Sequence, residues 1–325
     1  MSWTIPDKGE GDNDLQSILF QEYLDVLIAG LAGVDCVLSG CAITGGADMT
    51  PAVAKGAVLS NGVLFPVTAG DVTIPTADAT NPRIDLIVVT SAGTKAVRQG
   101  TAAAAPKPPA RTANDVVLGA VYVPANDTSI ETTKIVDMRV MRSGPIPIYK
   151  QTTQRVQANS GAEVSLFSNG SGLVIPSGLL LAGKVLRVRT GGNILHNTTT
   201  AMTIRVRVYY GGTLIFDDTG LTYGTTADAD RQAWNLEFDL IAAADALQRM
   251  IGVWQSKGPT SVAPAVGIGD IATDEILGNS PLTGPTAGIA VDSDAADRTL
   301  NVTFLMSAAN AAHEWTCDAL EVDLA

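Results

Sequence analysis

Along most of this chain apolar and polar residues alternate with a period of two, the pattern of strands with one buried and one wet face. Over 202–209, Ile204, Val206 and Val208 alternate with Thr203, Arg205 and Arg207, and over 234–240, Trp234, Leu236, Phe238 and Leu240 alternate with Asn235, Glu237 and Asp239. Leu300, Val302, Phe304 and Met306 repeat the pattern, as do Leu320, Val322 and Leu324. With further β-type runs at 163–167, 172–175, 184–189, 213–216 and 250–254, the second half predicts a two-sheet sandwich of jelly-roll type. The first half carries shorter runs at 52–59, 62–67, 70–74, 83–90, 95–99, 115–123 and 135–141, separated by turn residues. Asn61-Gly62 is a two-residue hairpin signal, and Ser91-Ala92-Gly93 is a looser turn. A small antiparallel β domain follows from that rhythm.

One segment has a different period. Over 12–31 the apolar residues Leu15, Ile18, Leu19, Tyr23, Val26, Leu27 and Leu31 fall at helical spacing, with Asn13 or Asp14 to cap the start and Gly33 to stop it. A second row, Phe20, Leu24 and Ile28, makes the predicted helix apolar on more than one side, so it must be covered on more than one side. Either its own sheet or a neighbouring subunit supplies that cover, and Leu15, Leu19, Tyr23 and Leu27 are the candidate interface residues. The Pro/Gly-rich stretch 142–147 separates the two β regions. The expected organisation is a helical N-terminal segment over 1–33, a β-rich attachment domain over 34–143 and a jelly-roll sandwich over 144–325. Two segments break the rhythm: an Ala/Pro stretch at 101–112, held extended by Pro106, Pro108 and Pro109, and a Gly/Pro/Ser/Thr-rich interval at 256–297, either a binding loop or a pair of weak strands.

Composition narrows the class. Charged residues are 17% of the 325, against a usual value of about 25%, so much of the wet surface must come from Thr, Ser and Asn. A formal net charge of −12 opposes nucleic acid and anionic membranes. The uncharged run at 26–34 is far shorter than the ~20 residues of a membrane-spanning helix, and no secretory signal is visible at the N-terminus. Three cysteines, Cys36, Cys41 and Cys317, suit a reducing compartment and are expected as free thiols.

A search for chemistry finds little. The two histidines, His196 and His313, have no nucleophile-elbow serine to act on. Cys36 and Cys41 lack two further ligands for zinc. Asp292, Asp294 and Asp297 lack the glycine and terminal glutamate of a calcium loop and read as a solvated turn. No phosphate-binding glycine loop occurs. The expectation is a protein without catalytic residues, metal or cofactor.

The stretches 46–63 (GADMTPAVAKGAVLSNGV), 77–89 (ADATNPRIDLIVV) and 114–125 (NDVVLGAVYVPA) resemble the N-terminal module of tailed-bacteriophage fibre, baseplate and head-fibre proteins. The pieces 172–178 (GLVIPSG), 184–189 (KVLRVR) and 204–208 (IRVRV) are similar to jelly-roll domains on phage tail and capsid appendages. This resemblance implies a homotrimeric virion subunit, made in the host cytoplasm, with other virion proteins as partners and a host-surface glycan as a further one. Tyr209, Tyr210 and Trp254 are the candidate glycan contacts, because ring faces stack on pyranoses. The alternative is a polysaccharide depolymerase or esterase using carboxylates of the second domain. Replacing Leu19 and Tyr23 together with Glu is expected to disrupt assembly while residues 148–325 stay folded. Light scattering on the eluted species, with circular dichroism for the fold, checks this.

Overall fold

The computed structural model describes residues 35–142, 144–217, 221–225, 227–257, 276–283 and 288–325. The predicted helix, with Leu15, Leu19, Tyr23 and Leu27, lies outside the described residues. Within them the chain is almost entirely antiparallel β, and the one helical element is a single 3-10 turn at Thr132–Lys134. Contacts divide the chain into two compact units, Met1–Arg142 and Ser143–Ala325.

In the first unit a three-stranded sheet of Cys36–Gly40, Gly56–Ser60 and Val63–Val67 accompanies a four-stranded one ordered Ile135–Asp137, Val116–Val123, Arg83–Val89, Lys95–Arg98. The Asn61-Gly62 signal is realised as a tight hairpin: Ser60 pairs with Val63, and both turn residues have positive φ, 49° and 75°. Arg83–Val89 is buried at every position. Ile87 and Val89 join Val37, Val58 and Leu118 in one apolar cluster, while Ile84, Leu86 and Val88 join Val117 and Met138 in another. Both faces of that strand are therefore covered, which explains a run with little alternation.

The same strand carries a buried ion pair. Arg83 Nε lies 3.1 Å from each Asp85 carboxylate oxygen, with side chains only 2% and 0% exposed. Arg83 also donates to the carbonyls of Thr76 and Pro75, and the Gly100 N–H donates to Asp85. Burial pushes the Asp85 carboxyl above its ordinary value, with the Gly100 N–H and the guanidinium pulling the other way.

The second unit is a sandwich. Its seven-stranded sheet runs Ile146–Gln151, His313–Leu324, Val185–His196, Asp228–Ala244, Leu247–Lys257, Ile276–Thr283, with Arg155–Ala158 also on His313–Leu324. Its six-stranded sheet runs Val164–Ser165, Arg298–Met306, Met202–Tyr210, Thr213–Asp217, with Leu173–Ile175 and Leu221–Tyr223 attached. Inward residues of the alternating runs meet between the sheets. The Phe304 ring, from the six-stranded sheet, lies 4.9 Å from Trp315, 5.7 Å from Trp234 and 6.1 Å from Trp254, all on the other sheet. All four side chains are almost wholly buried.

The outward face of the seven-stranded sheet neutralises itself. Arg187 forms a bidentate pair with Asp239 at 2.7 and 2.9 Å, and Arg189 reaches Glu237 at 3.0 Å and Asp323 at 3.4 Å. Glu237 and Asp239, read from the sequence as outward-facing sheet partners, occupy those positions. The Val185–His196 strand extends well past the predicted 184–189 run because Gly191 and Gly192 carry a register shift against His313–Leu324. Asp318 of the partner strand is the extra residue there, and a β-carbon at Gly192 would lie 2.0 Å from the Thr316 carbonyl oxygen, so only glycine fits opposite this bulge. The strand at Ile276–Thr283, within the 256–297 interval, carries no alternation that would announce it.

Phe304→Ala is expected to destabilise the second unit by about 3–5 kcal/mol, through lost transfer energy and the cavity left among three tryptophans. Arg187→Ala on the outer face, where solvent screens the ion pair, should shift the midpoint far less. Urea denaturation followed by tryptophan fluorescence distinguishes the two.

Candidate functional site

The strand Met202–Tyr210 sends Arg205, Arg207 and Tyr209 to the outer face of the six-stranded sheet, as its alternation requires. In register beside them lie Asn301 opposite Tyr209, Thr303 opposite Arg207, and Ser165 opposite Thr303. Glu163, just ahead of the short strand Val164–Ser165, reaches over this row. Glu163, Ser165, Tyr209, Asn301 and Thr303, with Gly170, Ser171, Gly212 and Thr299, line a groove of about 460 Å³. Its floor is made of short hydroxyl and amide side chains, and its walls are a tyrosine ring and a carboxylate.

Glu163 organises the groove. Its Oε1 accepts hydrogen bonds from the Tyr209 hydroxyl at 2.9 Å and the Thr303 hydroxyl at 2.5 Å, while Oε2 accepts from Arg207 Nη1 at 2.6 Å. Arg207 is shared, donating from Nε to Asp217 at 3.1 Å, and Arg205 donates to the same Asp217 oxygen at 2.7 Å. Below, Ser165 donates to Asn301 Oδ1 at 2.6 Å. Partial burial pushes the Glu163 carboxyl up, but hydrogen bonds from Thr303, Tyr209 and Arg207 outweigh it and leave it below the ordinary carboxylate range. The Tyr209 hydroxyl is raised by burial and by donating to that carboxylate, so it stays protonated.

A general acid for sugar hydrolysis needs a carboxyl held protonated near neutral pH. Glu163 is shifted the opposite way, and Asp217 accepts from the same arginine. What the groove offers is a set of oriented donors and acceptors beside an aromatic ring, the equipment for holding a polyhydroxylated molecule.

Of the three aromatics singled out in the sequence, only Tyr209 belongs here. Tyr210 is wholly buried, its hydroxyl 2.9 Å from Ser293 Oγ, and Trp254 is wholly buried against Trp234 and Phe304. Both are corrected to core residues. The same alternation separates the pair: an even-numbered position on this strand faces inward with Ile204, Val206 and Val208. Glu163, Asn301 and Thr303 went unrecognised because nothing local links them to Tyr209. Thr303 and Asn301 do share the polar parity of the 300–306 run, which is a usable signal.

The other sequence candidates lie elsewhere. His196 and His313 are buried together at one end of the sandwich. In 292–297, Asp292 Oδ1 accepts from the backbone N–H groups of Asp294 and Ala295, and Asp297 accepts from Ser177 N, so the segment is a turn whose carboxylates cap backbone donors. Among the described residues no group of three or more His, Cys, Asp or Glu is placed to hold a metal ion. Cys36, Cys41 and Cys317 are free and buried, and burial pushes the Cys41 thiol up to about 12. In the first unit a groove of about 650 Å³ lies between Val67, Val72 and Lys95–Val97. Its one ammonium, Lys95 Nζ, already donates to the carbonyls of Thr68 and Gly70.

No protein-family model matches this chain, and no curated protein is significantly similar to it. Solved structures with some likeness include the VP2 subviral particle of infectious bursal disease virus, at 9% identity and a TM-score of 0.27, covering 89% of this chain and 67% of that one. T=1 particles derived from infectious bursal virus match at 11% identity and a TM-score of 0.26, with the same coverage. The Gx strain of infectious bursal disease virus gives 11% and 0.23, covering 88% and 78%. A likeness of that size carries no argument about fold or role.

Glu163→Gln is expected to cost about 0.5–1 kcal/mol near neutral pH, because the Arg207 and Thr303 bonds lose their charge assistance. A carboxyl with a depressed folded value contributes fully above its ordinary value of 4.5 and loses that contribution as pH falls below it. The gap between wild type and variant should therefore close on acidification below about 4.5, measured by urea midpoints across a pH series.

Proposed function

We propose that this chain is a structural subunit of a bacteriophage virion, a fibre, spike or baseplate component, in which the part over 34–143 serves attachment and the sandwich over 144–325 serves display. The strand order of the second unit carries this reading. In one sheet Arg155–Ala158, His313–Leu324, Val185–His196 and Asp228–Ala244 are neighbours; in the other, Leu173–Ile175, Arg298–Met306, Met202–Tyr210 and Thr213–Asp217. Taken in chain order these eight strands alternate between the sheets except at the hairpin of Met202–Tyr210 with Thr213–Asp217, and the last returns beside the first; this is the connectivity of a jelly roll, with the Leu247–Lys257 and Ile276–Thr283 strands extending one edge. The resemblance of 46–63, 77–89 and 114–125 to phage attachment modules supports the same role, and by that resemblance the subunit is a homotrimer.

The groove at Tyr209 is assigned to a host-surface glycan. Short polar side chains on the floor match ring hydroxyls, and the Tyr209 ring supplies an apolar face. The lowered Glu163 carboxyl does not suit the general acid of hydrolysis, and the groove is read as a binding site.

Light scattering of the purified chain is expected to give about three times 33.6 kDa, and a strict monomer at ~10 μM would count against the subunit reading. Immunogold labelling of phage particles should place it on the virion. On a glycan array of host-surface saccharides, Tyr209→Ala should lose the signal of the intact chain. New reducing ends appearing in capsule incubated with the protein would instead favour the depolymerase.

A further inference from the structure

The chain's two histidines, distant in sequence, are brought face to face. His196 ends the strand Val185–His196, His313 begins His313–Leu324, and the two are direct antiparallel partners. Their rings stack with centroids 5.0 Å apart and 18° between planes, and Tyr223 lies 5.7 Å from His196. Exposure is 1% for His196 and 0% for His313.

The hydrogen bonds set the tautomer of each ring. His196 Nε2 is 2.9 Å from the Thr200 carbonyl, and His313 Nδ1 is 3.4 Å from the Ala308 carbonyl. A carbonyl only accepts, so each of these nitrogens bears a proton in the neutral ring. His313 Nε2 is then a bare lone pair, buried and without a hydrogen-bond partner. Adding a proton there would place a full positive charge on a ring closed off from solvent and stacked against a second imidazole.

The stack sits where two sheet-to-sheet crossovers meet. The connection 197–201 joins one sheet to Met202–Tyr210, and 307–312 brings the chain back from Arg298–Met306. Asn197 N donates to Ala312 O at 3.1 Å, and Ser307 N donates to Thr203 O at 2.8 Å. Neither connection carries a charged residue. On the packed strands, Tyr223 shares a hydrogen bond with Ser256 and is held neutral by burial. Glu314 points to the opposite sheet face and pairs with Arg231 at 2.6 Å, Arg155 donates to the Phe167 carbonyl, and Asp228 is the backbone partner of His196.

We propose that the His196–His313 stack is an acid-released latch: the stacked rings hold the crossovers together, and proton uptake at His313 Nε2 parts them and loosens that end of the sandwich. The inference rests on the stack alone, whatever the chain is attached to. Burial and the charge of His196 lower the His313 value below its ordinary 6.5, against the pull of the Ala308 and Thr200 carbonyls. The opened state then binds protons more readily than the closed one. Stability is complete above about 6.5 and is lost as pH falls from there toward the folded value.

The test uses the full chain with ¹³C-labelled histidine, whose two imidazoles are read directly by NMR between pH ~8 and ~5. Urea unfolding by tryptophan fluorescence runs in parallel on the wild type and on His313→Gln. Expected is a His313 imidazole that stays neutral below the ordinary range. The unfolding equilibrium constant of the wild type should also rise relative to the variant by up to about tenfold per pH unit below 6.5. Two imidazoles titrating at the ordinary value in the folded chain would overturn the latch, as would identical pH dependence in wild type and variant. Should His313→Gln fail to fold, the wild-type titration decides alone.

Discussion

The sandwich of the second unit depends on the meeting of Phe304 with Trp234, Trp254 and Trp315. Large rings across a two-sheet interface bury more apolar surface than any other pairing available to a chain with 5% aromatics. Concentrating them in one place fixes the distance between the sheets and the register of four strands at once. The indoles are not free of cost: Trp234 Nε1 donates to Thr316 O at 2.9 Å and Trp315 Nε1 to Gln157 at 2.7 Å, but Trp254 Nε1 has no partner. Once this contact is set, the parity of every neighbouring strand follows, and with it which residues face outward.

Outward parity explains how a chain with few charges presents wet sheet faces. Arg187 and Arg189 are used up by Asp239, Glu237 and Asp323 on one sheet, and Arg205 and Arg207 by Asp217 and Glu163 on the other. The candidate groove lies where this second lattice gives way to Ser165, Asn301 and Thr303, small enough to leave room above them. In the first unit the same economy appears in reverse, since Arg83 and Asp85 are wholly enclosed and bonded to backbone.

Alternation made most of the sandwich legible in the sequence: the runs ending at Tyr209, Leu240, Met306 and Leu324 became strands with the expected inner faces. It reached less far where tertiary contact decides. The predicted run stops at 189, yet Gly191 and Gly192 fit against a bulge of the partner strand at Asp318 and the strand continues to His196. Ala52–Val53 and Gly56–Ser60 looked like one run but serve two different sheets. At the groove, parity alone sorts Tyr209 from Tyr210, whereas the partnership of Glu163 with Arg207 and Thr303 joins residues from three separate stretches and has no local trace. Nothing near either histidine announces the other, because their pairing depends on the register of two strands far apart in the chain.

The three thiols carry a consequence of their own. Cys36, Cys41 and Cys317 are enclosed by packed strands, and burial raises each above the ordinary thiol value. A thiolate is the species that attacks a disulfide or an oxidant, and here it is suppressed by both access and proton affinity. The folded units can therefore pass from reducing to oxidising surroundings with their covalent structure unchanged, held by noncovalent packing on either side of that boundary.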